Sequence, residues 1–356
     1  MRAIFANTHN SDMYYAVKTH VPDNFFYIEK EGKKYAYLDS REIDAFKEKN
    51  KEVEVLLLDP IIKEVEGRHP LSHELALKIL DKEVEVPVSF PLDIADFLRE
   101  KGFKITPVNP FYPQRNHKTE KEKQTIKENI DKTCIAFRRI EEILRDSIIE
   151  KEKIVYKGEV LTSEFVKREV KKIFLENDMY TPEGMIVSSG KQASFPHHTG
   201  EGALKPHTTI ICDLFPRGEN GYFADMTRTY VKGEPSKEVR EIYDAVLNAQ
   251  EAAIQMAGPQ VAMKEIHDAV CEVFRDAGHE EGFLHGTGHG LGIDIHELPY
   301  INNRSQGKLQ PGNIFTVEPG LYYAEHGGVR IEDVLYITEN GAENLTDHPK
   351  KMLVFK

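Results

Sequence analysis

Three histidines stand among four glycines in LHGTGHGLGIDIHE, residues 284 to 297. Imidazole can ligate a metal, carry a proton or donate a hydrogen bond near neutral pH. Glycine lets backbone pass close to a neighbour and adopt φ > 0. The stretch therefore reads as a phosphate loop, a metal site or an irregular loop without chemistry. Gly286, Gly288, Gly290 and Gly292 alternate, so neither G-x-G-x-x-G nor G-x-x-x-x-G-K-[ST] is met. Glu297 is followed by Leu298, Pro299 and Tyr300, so H-E-x-x-H is not met either. The phosphate reading falls, and the acids elsewhere in the chain bear on the other two.

Asp213 follows Ile210, Ile211 and Cys212, and Glu318 follows Ile314, Phe315, Thr316 and Val317. Glu332 stands among Val329, Ile331 and Val334, and Asp225 opens the run DMTRTYV. A carboxylate inside an apolar strand costs several kcal/mol to bury unless its charge is compensated. Each acid alone reads as an ion-pair partner or a turn cap. Four of them in two similar settings, joined by a glycine-bounded His289, carry a charge that two divalent cations would cancel. An oxygen-rich set with one imidazole suits Mn, Fe or Co better than a structural zinc. A hydroxide shared by two cations is a hydrolytic nucleophile, because each lowers the pKa of bound water.

The elements that must position these groups follow from periodicity and turn residues. Residues 1 to 115 read as a small α/β unit. NFFYIEK and KKYAYLD are strands across a Glu31-Gly32 turn, and VEVLLLD is a buried strand. IADFLREKGF has helical spacing closed at Gly102, and the strand-like FKITPV follows. The two prolines of NPFYPQRNHK mark a boundary, and residues 116 to 356 form a second unit. There Ile126, Ile130, Cys134, Phe137, Ile140 and Leu144 predict a long amphipathic helix, and Val166, Val170 and Ile173 a second one. TTIICDLFPRGENGYFADMTRTYV reads as two strands, with Asp213 near the end of one and Asp225 within the next. Helices through EVREIYDAVLNAQEAAIQMAG and MKEIHDAVCEVFRDAG follow, the latter ending at Gly278. NIFTVEPGLYY and GGVRIEDVLYIT then form a second strand pair bearing Glu318 and Glu332.

The whole chain sets bounds on partners. Its 356 residues carry 47 Lys and Arg against 59 Asp and Glu, a formal net charge of −12. That balance disfavours nucleic acid and anionic membrane. Cys134, Cys212 and Cys271 are widely spaced and odd in number, which argues against a disulfide framework or a cysteine zinc site. Cys134 and Cys271 fall on apolar helical stripes and read as core. MRAIFANTHN lacks the apolar run of a signal peptide, and no window reaches the length of a membrane span. A cytoplasmic protein with no membrane or nucleic-acid partner is expected.

The combined motifs resemble the metallopeptidases of the pita-bread fold: methionine aminopeptidases, Xaa-Pro aminopeptidases and prolidases, with creatinase as a non-peptidase relative. The resemblance implies an α/β (α+β) chain with a pita-bread catalytic domain at 116–356. A smaller creatinase-like α/β N-terminal domain would precede it at 1–115. It implies that Asp213, Asp225 in DMTRT, His289 in GTGHGLG, Glu318 in VEPG and Glu332 in VRIED hold two divalent metal ions, Mn, Co, Fe or Zn. By the same resemblance His197 in FPHH and His296 in IDIHE are catalytic, with His198 the alternative to His197, and Glu318 is the proton carrier. His285 and Arg330 would serve substrate, Arg330 also by orienting the acids. His207 reads as an ordinary loop histidine.

The implied reaction is hydrolysis of the peptide bond before proline in proline-containing peptides, by a homodimer. Dipeptidase and aminopeptidase versions both fit. A creatinase-like amidinohydrolase and a peptide-binding relative without turnover are the alternatives. The chain departs from the family after the first acid. Leu214, Phe215, Pro216 and Arg217 follow Asp213 where a glycine is usual at the second position, so Phe215 and Arg217 are expected at the pocket edge.

Overall fold

Glu31 and Gly32 both have positive φ, 52° and 75°, in the computed structural model, which describes every residue but Glu66 and His69. Two left-handed residues in succession match the right-handed twist of a tight hairpin. They join β2 (Phe25–Lys30) to β3 (Lys33–Leu38), and β1 (Arg2–Ala6) lies antiparallel on the other side of β2. Parallel strands extend both edges, giving the order β4-β3-β2-β1-β5-β6 with β4 (Val53–Leu57), β5 (Glu83–Pro87) and β6 (Lys104–Val108). Period-two alternation clothes both faces. Phe26 and Ile28 join one core with Leu75, Ile79, Ile94 and Leu98. Phe25 and Tyr27 join another with Met13, Val17 and Phe46. VEVLLLD is not the buried strand its sequence suggests. It is an edge strand bonded only to β3, and Leu57 is 41% exposed. This sheet belongs to a compact unit, Met1–Arg115.

The second unit, Asn116–Lys356, begins with the long helix α1 (Glu120–Asp146). Thr119 caps it: its hydroxyl accepts from the Glu122 amide at 3.3 Å, and the Glu122 carboxylate accepts from the Thr119 amide at 2.9 Å. Ile126, Ile130, Cys134, Phe137, Ile140 and Leu144 are all buried. α2 (Ser163–Glu176) buries Val166, Val170 and Phe174, while Ile173 is only half-buried. The buried row therefore steps by four residues, and Phe174 takes the place expected of Ile173. α3 (Lys237–Met256) and α4 (Met263–Asp276) pack Val246, Ala249, Ala253, Ile266, Val270 and Phe274 against Phe315, Val317, Leu335 and Ile337. Each large apolar side chain so buried contributes roughly 1.5–3 kcal/mol. No helix among the described residues is long and apolar enough to cross a membrane.

The strands between these helices carry the acids. Ile186–Ser189, Thr209–Leu214, Met226–Lys232 and Leu353–Phe355 form one sheet in that order. A second sheet has the order Glu297–Ile301, Gly288–Gly290, Ile314–Val317, Asp333–Ile337 and Ala342–Asn344. The expected pair NIFTVEPGLYY and GGVRIEDVLYIT is broken in both members. Ile314–Val317 pairs with Asp333–Ile337, whereas Gly320–Tyr323 pairs with Gly327–Arg330 as a separate ribbon. Glu318 and Glu332 sit at the two breaks, where the chain changes sheets. Asp225 likewise lies just before the strand Met226–Lys232, not within it.

Candidate metal centre

The glycine-rich stretch is a short central strand. Gly288–Gly290 lies between Glu297–Ile301 and Ile314–Val317, and none of Gly286, Gly288, Gly290 and Gly292 has positive φ. The four are glycine because neighbours crowd them. A Cβ on Gly288 would lie 1.8 Å from the Thr316 carbonyl oxygen, and one on Gly290 would lie 2.2 Å from that of Leu298. On Gly292 it would meet the Glu297 carboxylate at 2.3 Å, and on Gly286 the Ile301 carbonyl at 3.1 Å. The register shifts between His289 and Gly290. Such a bulge re-aims the side chain beside it. The His289 amide donates to the Thr316 hydroxyl at 3.0 Å.

The acids converge on this imidazole. His289 Nε2 lies 3.2 Å from Glu318 Oε1 and 3.7 Å from Asp225 Oδ2. One ligand atom each of Asp225, His289 and Glu332 falls within 4.8 Å of the others. Asp213, Asp225, His289, Glu318 and Glu332 all line one cavity of about 710 Å³. His197, His285, His296 and Arg330 line it too, as does Phe215. His198 turns back into its own loop, where Nδ1 accepts from the Gly200 amide at 3.0 Å. Arg217 is absent from the wall: its Nε donates to the Gly221 carbonyl at 3.0 Å, and its guanidinium lies over the Phe223 ring.

Electrostatically, this donor set asks for positive charge. Burial raises the pKa of Asp213 in spite of Arg330. Burial, reinforced by Asp213, raises Asp225 well above its usual range. Burial and then Asp225 do the same for Glu332. Burial alone would lower His289, but Glu318 and Asp225 hold it up at about 9. Burial works against charge on Glu318, yet the hydrogen bond from His289 takes it down to about 2. The imidazolium and the Arg330 guanidinium, 2.6 Å from Asp213, are thus the cations the chain itself sets against four carboxylates. Asp213 Oδ1 is buried without a hydrogen-bond partner among the described residues. An orphan oxygen of that kind, beside acids that resist ionisation, fits divalent cations held by oxygen and one imidazole nitrogen.

Tyr322, Thr227 and Arg228, which carry no signal in the sequence, support the expected groups. Arg330 Nη2 donates to Asp213 Oδ2 at 2.6 Å, Nη1 to the Tyr322 hydroxyl at 2.7 Å, and Nε to the Thr227 hydroxyl at 3.3 Å. Its donors turn toward Asp213 and its frame. Thr227 in turn donates to Glu332 Oε2 at 2.8 Å. His285 Nδ1 donates to the Gly286 carbonyl at 2.8 Å, which leaves Nε2 to accept from the Tyr322 hydroxyl at 2.8 Å. Burial lowers the His285 pKa and favours this neutral form. Behind the acids, Arg228 pairs with Asp333 at 2.8 Å, both almost fully buried. Arg228 also donates to the carbonyls of Glu332, His348 and Pro349. The His296 ring stands edge-on to His289, with centroids 4.2 Å apart. Cys134 is buried as expected, but Cys271 is only half-buried, with Sγ 3.5 Å from His267 Nε2.

Comparison with known proteins agrees with this architecture. Residues 124–339 match metallopeptidase family M24. The chain is 29% identical over 303 residues to a protein named Xaa-Pro dipeptidase from Pyrococcus horikoshii, covering 79% of this chain and 84% of that one. It is 38% identical over 169 residues to the Xaa-Pro dipeptidase of Pyrococcus furiosus, a match over 47% of this chain that spans 48% of that relative's length. The solved prolidase of Pyrococcus horikoshii OT3 superposes with a TM-score of 0.80 at 26% identity, over 99% of this chain and 94% of that one. With its mixed α/β fold, and a family match over residues 124–339 that takes in Asp213, Asp225, His289, Glu318 and Glu332, the chain belongs to metallopeptidase family M24.

Proposed function

We propose that the chain is a metal-dependent peptidase that hydrolyses the bond before proline in short peptides. In this reading Asp213, Asp225, His289, Glu318 and Glu332 hold two divalent cations, of Mn, Co, Fe or Zn. The observation that carries it is the convergence of these five donors on one cavity, with Asp213 Oδ1 buried and unpartnered. The names of the relatives, Xaa-Pro dipeptidase and prolidase, support the proline preference. The unit Met1–Arg115 is read as a creatinase-like domain, and Asn116–Lys356 as the pita-bread catalytic domain.

Bound cations supply Lewis acidity toward the scissile carbonyl and lower the pKa of water. The chain's residues do the rest. Glu318 lines the cavity beside His289 and can take a proton from the attacking water and pass it to the leaving nitrogen. His296, beside His289, donates to the oxygen on which negative charge develops. His197 lines the same cavity and is positioned to meet the substrate amide. Arg330 holds Asp213 in place. The test is cleavage of Gly-Pro and Ala-Pro by protein stripped with a chelator and reloaded with Mn or Co. Free residues are expected only after reloading. Metal-replete protein that binds these peptides without cutting them refutes the reading in favour of a binding module.

A further inference from the structure

One side of the cavity is set by a turn, Thr181-Pro182-Glu183-Gly184. The Gly184 amide closes it by donating to the Thr181 carbonyl at 3.2 Å, and Gly184 has a φ of 89°. Proline second and glycine fourth suit such a turn. Before it Tyr180 pairs with Arg217, and after it Ile186 pairs with Asp213. The turn therefore lies across from Leu214, Phe215 and Pro216, the stretch that departs from the family pattern. Pairings on both sides hold Glu183 on a short, fixed piece of backbone. Glu183, Ile186 and Phe215 all line the cavity. Phe215 packs against the apolar cluster of Ile186, Ile211 and Tyr322. This wall is thus an apolar surface with a carboxylate at its edge.

Glu183 differs from the other acids of the cavity. Asp213, Asp225, Glu318 and Glu332 are the metal donors, and on the peptidase reading two divalent cations cancel their charge. Arg330 is committed to Asp213 and Tyr322. Among the described residues Glu183 is the only other Asp or Glu lining the cavity; it is exposed, and its carboxylate makes no ion pair or hydrogen bond with them. The metal-loaded cavity therefore keeps one unpaired carboxylate beside Ile186 and Phe215. A side chain that matches this wall has a hydrocarbon stem and a cationic tip. Lysine and arginine lay such stems along apolar surface, and their heads gain from an aromatic face. Glu183 repels the carboxylate of a dipeptide, which turns the proline end away and leaves the preceding residue nearest this wall. Resting on the peptidase reading above, we propose that Glu183, with Ile186 and Phe215, selects lysine or arginine as the residue before proline. Like charge disfavours aspartate or glutamate there. Glu183 is then a specificity-determining residue.

The test compares Lys-Pro, norleucyl-Pro and Glu-Pro on the metal-loaded protein and on its Glu183→Gln and Glu183→Lys variants. The first two share length and terminal ammonium and differ in the charge at the tip of the side chain. For the unaltered protein, kcat/KM for Lys-Pro is expected to exceed that for norleucyl-Pro about fivefold, the upper end of what an exposed ion pair gives, with Glu-Pro slowest. Salt at about 1 M is expected to shrink that ratio. Glu183→Gln is expected to bring it to about one through KM, because the contact is made equally in ground and transition states. Glu183→Lys is expected to reverse the order and cut Glu-Pro faster than Lys-Pro, which the loss of a structural role alone would not do. Equal rates for Lys-Pro and norleucyl-Pro in the unaltered protein, or a preference that survives Glu183→Gln, overturn this inference and leave the peptidase reading standing. So does a Glu183→Gln protein that loses the same factor on both, since Glu183 would then meet the shared ammonium. Failure to cut any of the three with two cations bound overturns both.

Discussion

Gly288→Ala is the sharpest perturbation of the frame that aims His289. The new Cβ would sit 1.8 Å from the Thr316 carbonyl oxygen, where ordinary contact is 3.4–4 Å. The obstacle is backbone, so no rotamer relieves it, and Gly288–Gly290 must part from Ile314–Val317 by about 1.5 Å. Overpacking of this kind costs about 1–3 kcal/mol, and a rigid obstacle puts this case near 3 kcal/mol. In a unit of this size that corresponds to a fall of roughly 10 °C in Tm. His289 is the next residue and would move with the strand. Metal-ligand distances tolerate only about ±0.2 Å, so metal affinity is expected to drop at least about tenfold. Gly286→Ala is the control, because its nearest obstacle lies at 3.1 Å and a shift of a few tenths of an ångström relieves it. Thermal unfolding by circular dichroism and calorimetric Mn titration of both variants decide the matter. A Gly288→Ala protein with unchanged Tm and metal affinity, or one less perturbed than Gly286→Ala, would refute the close-approach reasoning.

Tyr322→Phe removes the hydroxyl between Arg330 and His285, so kcat/KM is expected to fall about tenfold while the metal content measured by elemental analysis stays unchanged. Asp333→Asn leaves the Arg228 guanidinium buried without its counter-charge, and a loss of about 3–5 kcal/mol is expected in urea unfolding. For Glu141, burial raises the pKa, but the hydrogen bonds from His348 and Tyr230 outweigh it and leave it below the usual value of 4.5. A depressed acid contributes stability above its unfolded pKa and loses it as pH falls through the folded one. The stability gap between the unaltered protein and Glu141→Gln is therefore expected to be full at pH 6–7 and to close below about pH 4. A gap that stays constant down to pH 3 contradicts that assignment.

The acids were legible because charge inside an apolar run is costly, and His289 because glycine crowds it. For the glycines the sequence left two reasons open, close approach and positive φ; the structure shows the first, with room made for the carbonyls of Thr316, Leu298 and Ile301. Such contacts join residues far apart in the chain, and one sequence does not show them. The strand breaks at Glu318 and Glu332 escaped for a related reason: the runs IFTVEP and GVRIED keep their β-branched residues across a change of partner strand. Tyr322, Thr227 and Arg228 had no marker either, since a tyrosine, threonine or arginine on a strand is ordinary until its partner is known. VEVLLLD shows the converse error, in which apolar composition implied burial but the sheet order left the strand at an edge.

The central claim is that five side chains hold two cations, and counting them tests it most directly. Chelator-stripped protein would be titrated calorimetrically with Mn, alongside Asp225→Asn and His289→Ala variants of confirmed fold. Two cations per chain in the unaltered protein, with one or none in each variant, is the expected result. At most one cation in the unaltered protein, or a count of two that survives both substitutions, would contradict the account.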